Sequence, residues 1–317
     1  MIVVVAFRAV GQPNTAVKQN GQLSISNGKV VNQHLKPPQL RGISMFWSIW
    51  EGKKYYNPDV INWLKVDFNV SMVRLAMAIE HEHGYLKDPE GQYKIITRCI
   101  DEAINSGLYV IVDWHDHHAD QHLDQSKEFF TRISKRYAGQ PNIIYEIFNE
   151  PEKVSWPVVK AYAIAVIKEI RKHDQKNLIV VGSPSWDQDV DIAAKDPITG
   201  FENIAYSFHF YASDQWHQDK LRRKADIAIA SKLPLFITEW GVGEATGNGK
   251  FDIKQTEAWL QWMEQHQLSW ANWSLADKTE TTAILNPGAS PKGGWKEENL
   301  SKAGIYIRTK LRKLNFF

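Results

Sequence analysis

Beyond Leu40, short apolar runs alternate with stretches whose apolar residues recur at the helical period. The apolar runs begin near Leu40, Met72, Tyr109, Ile143, Leu178, Ile204, Leu235 and Trp270, at intervals of about 26 to 37 residues, each the length of one β-α unit. Between them, Val159, Tyr162, Ala163, Val166, Ile167 and Ile170 recur at i, i+3, i+4 and i+7 behind Pro157. Similar stripes run from Ile95 to Ile104, closed by Gly107, and from Ile253 to Met263 behind Asp252. Tyr109-Val110-Ile111-Val112 and Ile143-Ile144-Tyr145 are apolar at every position, as parallel strands covered on both faces should be. Eight such units predict one α/β domain, a (β/α)8 barrel over residues 40–317, in preference to a doubly wound open sheet. Ahead of it, residues 1–39 carry Asn27-Gly28 between short apolar runs, which predicts a β-hairpin packed on the barrel.

Composition narrows the partners. Lys and Arg number 38 against 36 Asp and Glu, for a net charge of +2, and the basic residues are scattered, so nucleic acid is not expected. No run approaches the roughly 18 apolar residues that cross a bilayer, and no membrane partner is expected. Met1 to Phe7 is apolar but lacks a preceding basic residue and a small-residue cleavage pattern, so no export signal is legible. The one cysteine, Cys99, lies in register with Ile96, Ile100 and Ala103 and reads as a core thiol. Thirteen tryptophans are many for a globular chain of 317 residues. A cleft that stacks sugar rings would call for them, as core packing does in part.

In a barrel of this kind the chemistry stands at the C-terminal strand ends. Arg74 follows the second strand, Asp113-Trp114-His115 the third, Asn149-Glu150-Pro151 the fourth, and Ser185-Trp186 the fifth. His209-Phe210-Tyr211, Thr238-Glu239-Trp240-Gly241 and Asn272-Trp273 complete the rim. An ionised carboxylate cannot sit unpaired in a dry core, so Glu150 and Glu239 are either structural partners of a residue such as Arg74 or members of a cleft. Lying three units apart, they point into one mouth from opposite sides. That is the pair glycoside hydrolysis requires, one protonated and one ionised. Arg74 favours an ionised neighbour, Tyr211 and His209 can bond to a carboxylate, and Asn149 can donate to a sugar 2-OH. Spacing does not say which glutamate does which.

Seven fragments in strand order resemble the cellulase family, glycoside hydrolase family five, and its bacterial endoglucanases. They are Leu40-Arg41-Gly42-Ile43-Ser44, Val73-Arg74-Leu75-Ala76-Met77, Val112-Asp113-Trp114-His115, Tyr145-Glu146-Ile147-Phe148-Asn149-Glu150-Pro151, His209-Phe210-Tyr211, Phe236-Ile237-Thr238-Glu239-Trp240-Gly241 and Trp273-Ser274-Leu275. The resemblance implies retaining cleavage of internal β-1,4-glucosidic bonds without cofactor or metal, with Glu150 as acid/base and Glu239 as nucleophile. It implies that Arg74 and Tyr211 hold Glu239 ionised, that Asn149 meets the 2-OH, and that His115 and His209 line the catalytic subsite. Trp273 would stack under the sugar being cleaved, and Trp186, Trp50, Lys278 and Glu280 would contact neighbouring units. A secreted or periplasmic monomer acting on an insoluble glucan is expected. Many relatives carry His-Gly after the first-strand serine, where this chain has Phe46-Trp47-Ser48, so that histidine's role is not transferred.

Rival readings are weaker. His115-Asp116-His117-His118 with His122 resembles a metal-ligand run, but no second cluster stands on another strand, and only His115 is expected in the cleft. Asp187, Asp189 and Asp191 mimic the start of a calcium loop, yet Ile192 replaces its glycine and Ile198 its last carboxylate. Gly241, Gly243 and Gly247 miss the dinucleotide spacing. A sugar-binding protein without catalysis would use the same tryptophans and glutamates.

Overall fold

A computed structural model describes residues 14–316, so the apolar opening Met1 to Phe7 lies outside the described residues. Strands β1 (Ser24–Ser26) and β2 (Lys29–Val31) form the expected antiparallel hairpin. Its two turn residues, Asn27 and Gly28, both take positive φ (49° and 74°), the conformation that matches the right-handed twist of the flanking strands. Gly28 is also pressed against Lys232, whose backbone lies 2.7 Å from where a Cβ would be.

Eight parallel strands follow: β3 (Arg41–Met45), β4 (Met72–Ala78), β5 (Tyr109–His115), β6 (Ile143–Glu146), β7 (Leu178–Val181), β8 (Ile204–Tyr211), β9 (Leu235–Gly241) and β10 (Trp270–Leu275). They pair in sequence and β10 closes on β3, which makes the barrel and excludes the open sheet. Each begins at or within one residue of its expected position. The three predicted apolar stripes are the helices Pro89–Asn105, Trp156–Arg171 and Ile253–His266. Asp252 caps the last by accepting a hydrogen bond from the Gln255 amide, and Gly107 (φ 67°) turns the chain out of the first.

Strand side chains alternate between two surroundings. Val73, Leu75, Val110, Val112, Tyr145, Ile179 and Ile237 pack outward under the helices, with Cys99 among them as expected. Met72, Tyr109, Ile111, Ile144, Leu178, Val180 and Phe236 fill the lower barrel interior. Leu23 and Val30, flanking and within the hairpin, join this inner cluster, and the Tyr109 hydroxyl donates to the Gly21 carbonyl at 2.6 Å. The hairpin region therefore stoppers the N-terminal end. Among the described residues, no helix is long and apolar enough to cross a membrane.

The pairing is irregular at two places, in β10 between Trp273 and Leu275 and in β9, and the second bears on the site. Ser207 of β8 pairs with Phe236, but His209 pairs with Glu239, and the pairing with β10 shifts at the same place. One extra residue in β9 makes a bulge, so that Thr238 and Glu239 both reach the interior side. Thr238 bonds to His209 and Glu239 to Arg74.

Candidate active site

One inward position, two residues, above the apolar layer the interior becomes charged. Arg74 on β4 is wholly buried and binds three carboxylates: Glu146 at 2.7 Å, Glu239 at 2.8 Å and Asp113 at 2.9 Å. It also donates to the Asn149 side-chain oxygen at 2.6 Å. A guanidinium can do this because its five N–H groups spread in one plane. Glu146 is held down to about 2: burial opposes this, but Arg74 and His209 outweigh it. The Asn149 side-chain nitrogen, also buried, has no partner among the described residues and can donate to a bound molecule.

Glu150 and Glu239 face each other, with a carboxylate oxygen of each within 4.8 Å of the other. Their partners differ. Glu239 accepts from Arg74 and, at 2.6 Å, from the Tyr211 hydroxyl. Glu150 is joined at 3.0 Å to His209 Nδ1, and its backbone takes the left-handed conformation (φ 54°) just before Pro151. Burial and the Glu150 charge push Glu239 up against the pull of Arg74 and Tyr211. Burial acts on Glu150 in the same sense, but hydrogen bonding from His209 carries it below its ordinary value. His209, ringed by Asp187, Glu146, Glu150 and Glu239, is raised well above the usual imidazole range despite its burial. The pair's proton therefore rests on the His209 side of this bond. Moved across to Glu150, it would neutralise the charge that raises Glu239 and leave Arg74 and Tyr211 holding an ionised Glu239.

His115 donates or accepts at 2.7 Å with Asp113 and lies flat on Trp273, the rings 5.4 Å apart at 8°. Trp47, half-buried, meets the edge of His115 and continues to the exposed Trp50. Lys278 and Glu280 pair with each other at 2.6 Å, and Lys278 sits over Phe46, which packs on Trp273. Trp186 stands on the opposite side, lining a cavity of about 590 Å³ with Glu150, His209 and Tyr211. Arg74, His115, Asn149, Glu150, His209, Tyr211 and Glu239 thus form one cluster, with Trp273 against it. Trp50, Trp186, Lys278 and Glu280 form its rim.

One expectation fails. Of the His115–His122 run only His115 is expected in the cleft, but His117 also lines this cavity: its Nδ1 lies 3.2 Å from the Glu150 carbonyl, because the loop after β5 folds back across the loop after β6. His118 does stay at the rim, with Glu80. Several site residues carry no role in the sequence reading. Glu146 occupies the inward position two beyond Ile144, so the period-two rule alone could have flagged it. Asp113 stands two before His115 by the same rule. Asp187 had no such signal, since it rests on three successive non-glycine residues, Ser185, Trp186 and Asp187, at positive φ (59°, 57° and 60°). That conformation is disfavoured by roughly 1–2 kcal/mol per residue, so local sequence does not suggest it. Trp216, a further exposed ring on the cavity wall, lacked any periodic context.

A (β/α)8 barrel with paired carboxylates in an open cleft lined by tryptophans has the form of a sugar-cleaving enzyme. Residues 30–279 match the cellulase family, glycosyl hydrolase family 5, and the chain belongs to that family. It is 41% identical to Endoglucanase Z of Dickeya dadantii across 89% of this chain and 65% of that protein. Endoglucanase A of Evansella cellulosilytica is 40% identical across 92% of this chain and 62% of its own length. The chain thus spans under two thirds of either relative. A solved structure from Cytophaga hutchinsonii superposes with a TM-score of 0.92 at 41% identity, covering 95% of this chain and 97% of that one. A variant catalytic domain of a Thermobifida fusca endoglucanase, solved with cellotetraose, gives 0.87 at 32% identity over 94% and 100%.

Proposed function

We propose that this protein is an endo-β-1,4-glucanase that cleaves internal bonds of cellulose or a related β-glucan with retention of anomeric configuration. The observation that carries the reading is the pair Glu150 and Glu239, whose oxygens approach within 4.8 Å across the cleft. That spacing suits direct attack on the anomeric carbon and leaves too little room for the water an inverting enzyme needs. Glu239, oriented by Arg74 and Tyr211, attacks; Glu150 gives its proton to the departing glycosidic oxygen. Water then attacks the glycosyl-enzyme ester, and Glu150 takes the proton back from it. The Asn149 side-chain nitrogen meets the 2-OH, where hydrogen bonds strengthen in the transition state. Trp273 and His115 form the floor, and Trp50, Trp186, Lys278 and Glu280 contact flanking units. The cleft is open to the surface, as an enzyme cutting within a polymer needs. The site uses no metal or cofactor, the protein works as a monomer, and an insoluble glucan places it outside the cytoplasm.

Three results test this. Carboxymethylcellulose should lose viscosity with reducing ends released, chelator present or absent. Proton NMR should show the β anomer first; an initial α product overturns the retaining mechanism. Glu150→Gln should impair aryl cellobiosides with poor leaving groups far more than activated ones, because only the former need a proton. A sugar-binding protein without catalysis would instead bind cello-oligosaccharides and release no reducing ends.

A further inference from the structure

Three of the 13 tryptophans are exposed, and all three stand at the barrel mouth: Trp50 (53% exposed), Trp186 (40%) and Trp216 (75%). Trp50 and Trp186 already have flanking sugar units assigned to them; Trp216, in the turn after β8, has none. An indole left so far out in water forgoes burial and persists there only if the backbone holds it up. The turn Tyr211–His217 does so, because it is stapled to itself and to its neighbours. The Tyr211 amide donates to His217 Nδ1 at 3.0 Å, and the Asp214 and His217 amides donate to the Tyr211 and Asp214 carbonyls, each at 3.1 Å. Burial holds the His217 imidazole below its ordinary value, which keeps Nδ1 bare to accept. Asp214 Oδ1 accepts from the Trp216 amide at 2.9 Å, and Oδ2 from the Ala245 amide in the loop after β9 at 3.3 Å. The His217 carbonyl in turn accepts from Trp259 Nε1 at 2.9 Å.

The cavity of about 590 Å³ that Trp216 and Trp186 line includes Glu150 but not Trp273, His115 or Asn149, which floor the cleavage subsite. An acid that protonates the departing oxygen stands between the sugar being cleaved and the leaving unit. A cavity that holds this acid and lacks that floor therefore lies on the leaving side. The Trp186 amide donates to the carbonyl of Pro151, one residue past Glu150, at 3.1 Å, which sets Trp186 beside the first leaving unit. Trp216, on a separate loop and nearly twice as exposed, stands farther out. We propose that Trp216 is the platform for the second leaving-side glucosyl unit, so that this side of the cleft grips a disaccharide. The inference rests on the glucanase reading, with Glu150 as the acid.

The chemistry of the ligand fits the ring. In a β-1,4-glucan every hydroxyl is equatorial, so both faces of each sugar present only C–H, which complements the electron-rich face of an indole. Asp214 and Gln188, on the same wall, offer polar edges to the equatorial hydroxyls. A platform fixed by its turn before substrate arrives loses little freedom on binding. Cellotetraose can lie with two units on each side of the carboxylate pair, or with three before it and one after. Only the first placement reaches Trp216, so the ratio of the two cleavages reads this residue apart from the chemistry both share.

The test uses cellotetraose carrying an isotope in its reducing-end unit, with the labelled products separated by chromatography. In Trp216→Ala the ratio of labelled cellobiose to labelled glucose should fall about five- to tenfold. On an aryl cellobioside, whose single-ring leaving group ends at Trp186, kcat/KM should stay within about twofold of the parent. The melting temperature should stay within about two degrees, since an exposed ring leaves no cavity behind. Trp216→Phe, which keeps an aromatic face, should recover most of the ratio. A parent-like ratio in Trp216→Ala, equal losses on both substrates, or a Phe variant no better than the Ala variant overturns the proposal. A parent that leaves both substrates intact overturns the glucanase reading and this inference with it; one that cuts both with no dependence on position 216 overturns this inference alone.

Discussion

The two ends of the barrel are made by the same strands yet obey opposite rules. At the bottom, Met72, Ile111, Ile144 and Val180 form one apolar cluster with Leu23 and Val30 of the hairpin region. One inward position higher, the same strands carry Arg74, Asp113 and Glu146. The lower layer contributes burial, a non-directional gain that tolerates substitution of similar volume. The upper layer is a network in which each group is bearable only because of its neighbours. Damage should therefore separate cleanly into lost folding below and lost chemistry above, with Arg74 as the exception.

The largest effect is expected at the top. Glu239→Gln should lower kcat by roughly 10⁴-fold or more, as removal of a nucleophile does. Its melting temperature should stay within a few degrees of the parent, because Arg74 keeps two carboxylates; a collapse in thermal stability would show that Glu239 is chiefly structural. Arg74→Met tests the exception. It leaves three carboxylates without their cation, so urea titration should show a loss of about 3–5 kcal/mol along with lost turnover. At the bottom, Ile111→Ala should destabilise by about 2–5 kcal/mol while kcat per folded molecule is retained; a large drop in kcat would mean the halves are not separable. Acid titration sharpens the contrast. Glu146 has a folded value near 2 against 4.5 ordinarily, so its contribution is complete above 4.5 and fades as pH falls toward 2. Glu146→Gln should flatten the fall in melting temperature across that window. Asp252→Ala, outside the catalytic cluster, should remove only about 1 kcal/mol through the lost cap.

The difference between the halves also explains what could be read in advance. Strand positions, the hairpin turn and the three helices were legible because each depends on a local period or a local backbone preference. Glu150, Glu239, Arg74, His209 and Tyr211 were legible because polar residues after an apolar strand are conspicuous. Asp187 was read only as a failed calcium loop, since its place depends on three unfavourable backbone conformations held by tertiary contacts. His117 was misplaced because loop-on-loop packing leaves no periodic trace. The contact between Trp47 and His115 joins residues from different strand ends and has no local signal either.

The bulge in β9 has a further consequence. Because Thr238 and Glu239 are consecutive and yet both serve the interior, one peptide link couples the group that steadies His209 to the group that faces Glu150. Removing Thr238 would iron the strand flat and, by alternation after the outward Ile237, leave Glu239 still facing inward but without the neighbouring hydroxyl that binds His209. The result would be a barrel of unchanged outline in which a single missing residue has unlinked His209 from the strand that carries Glu239.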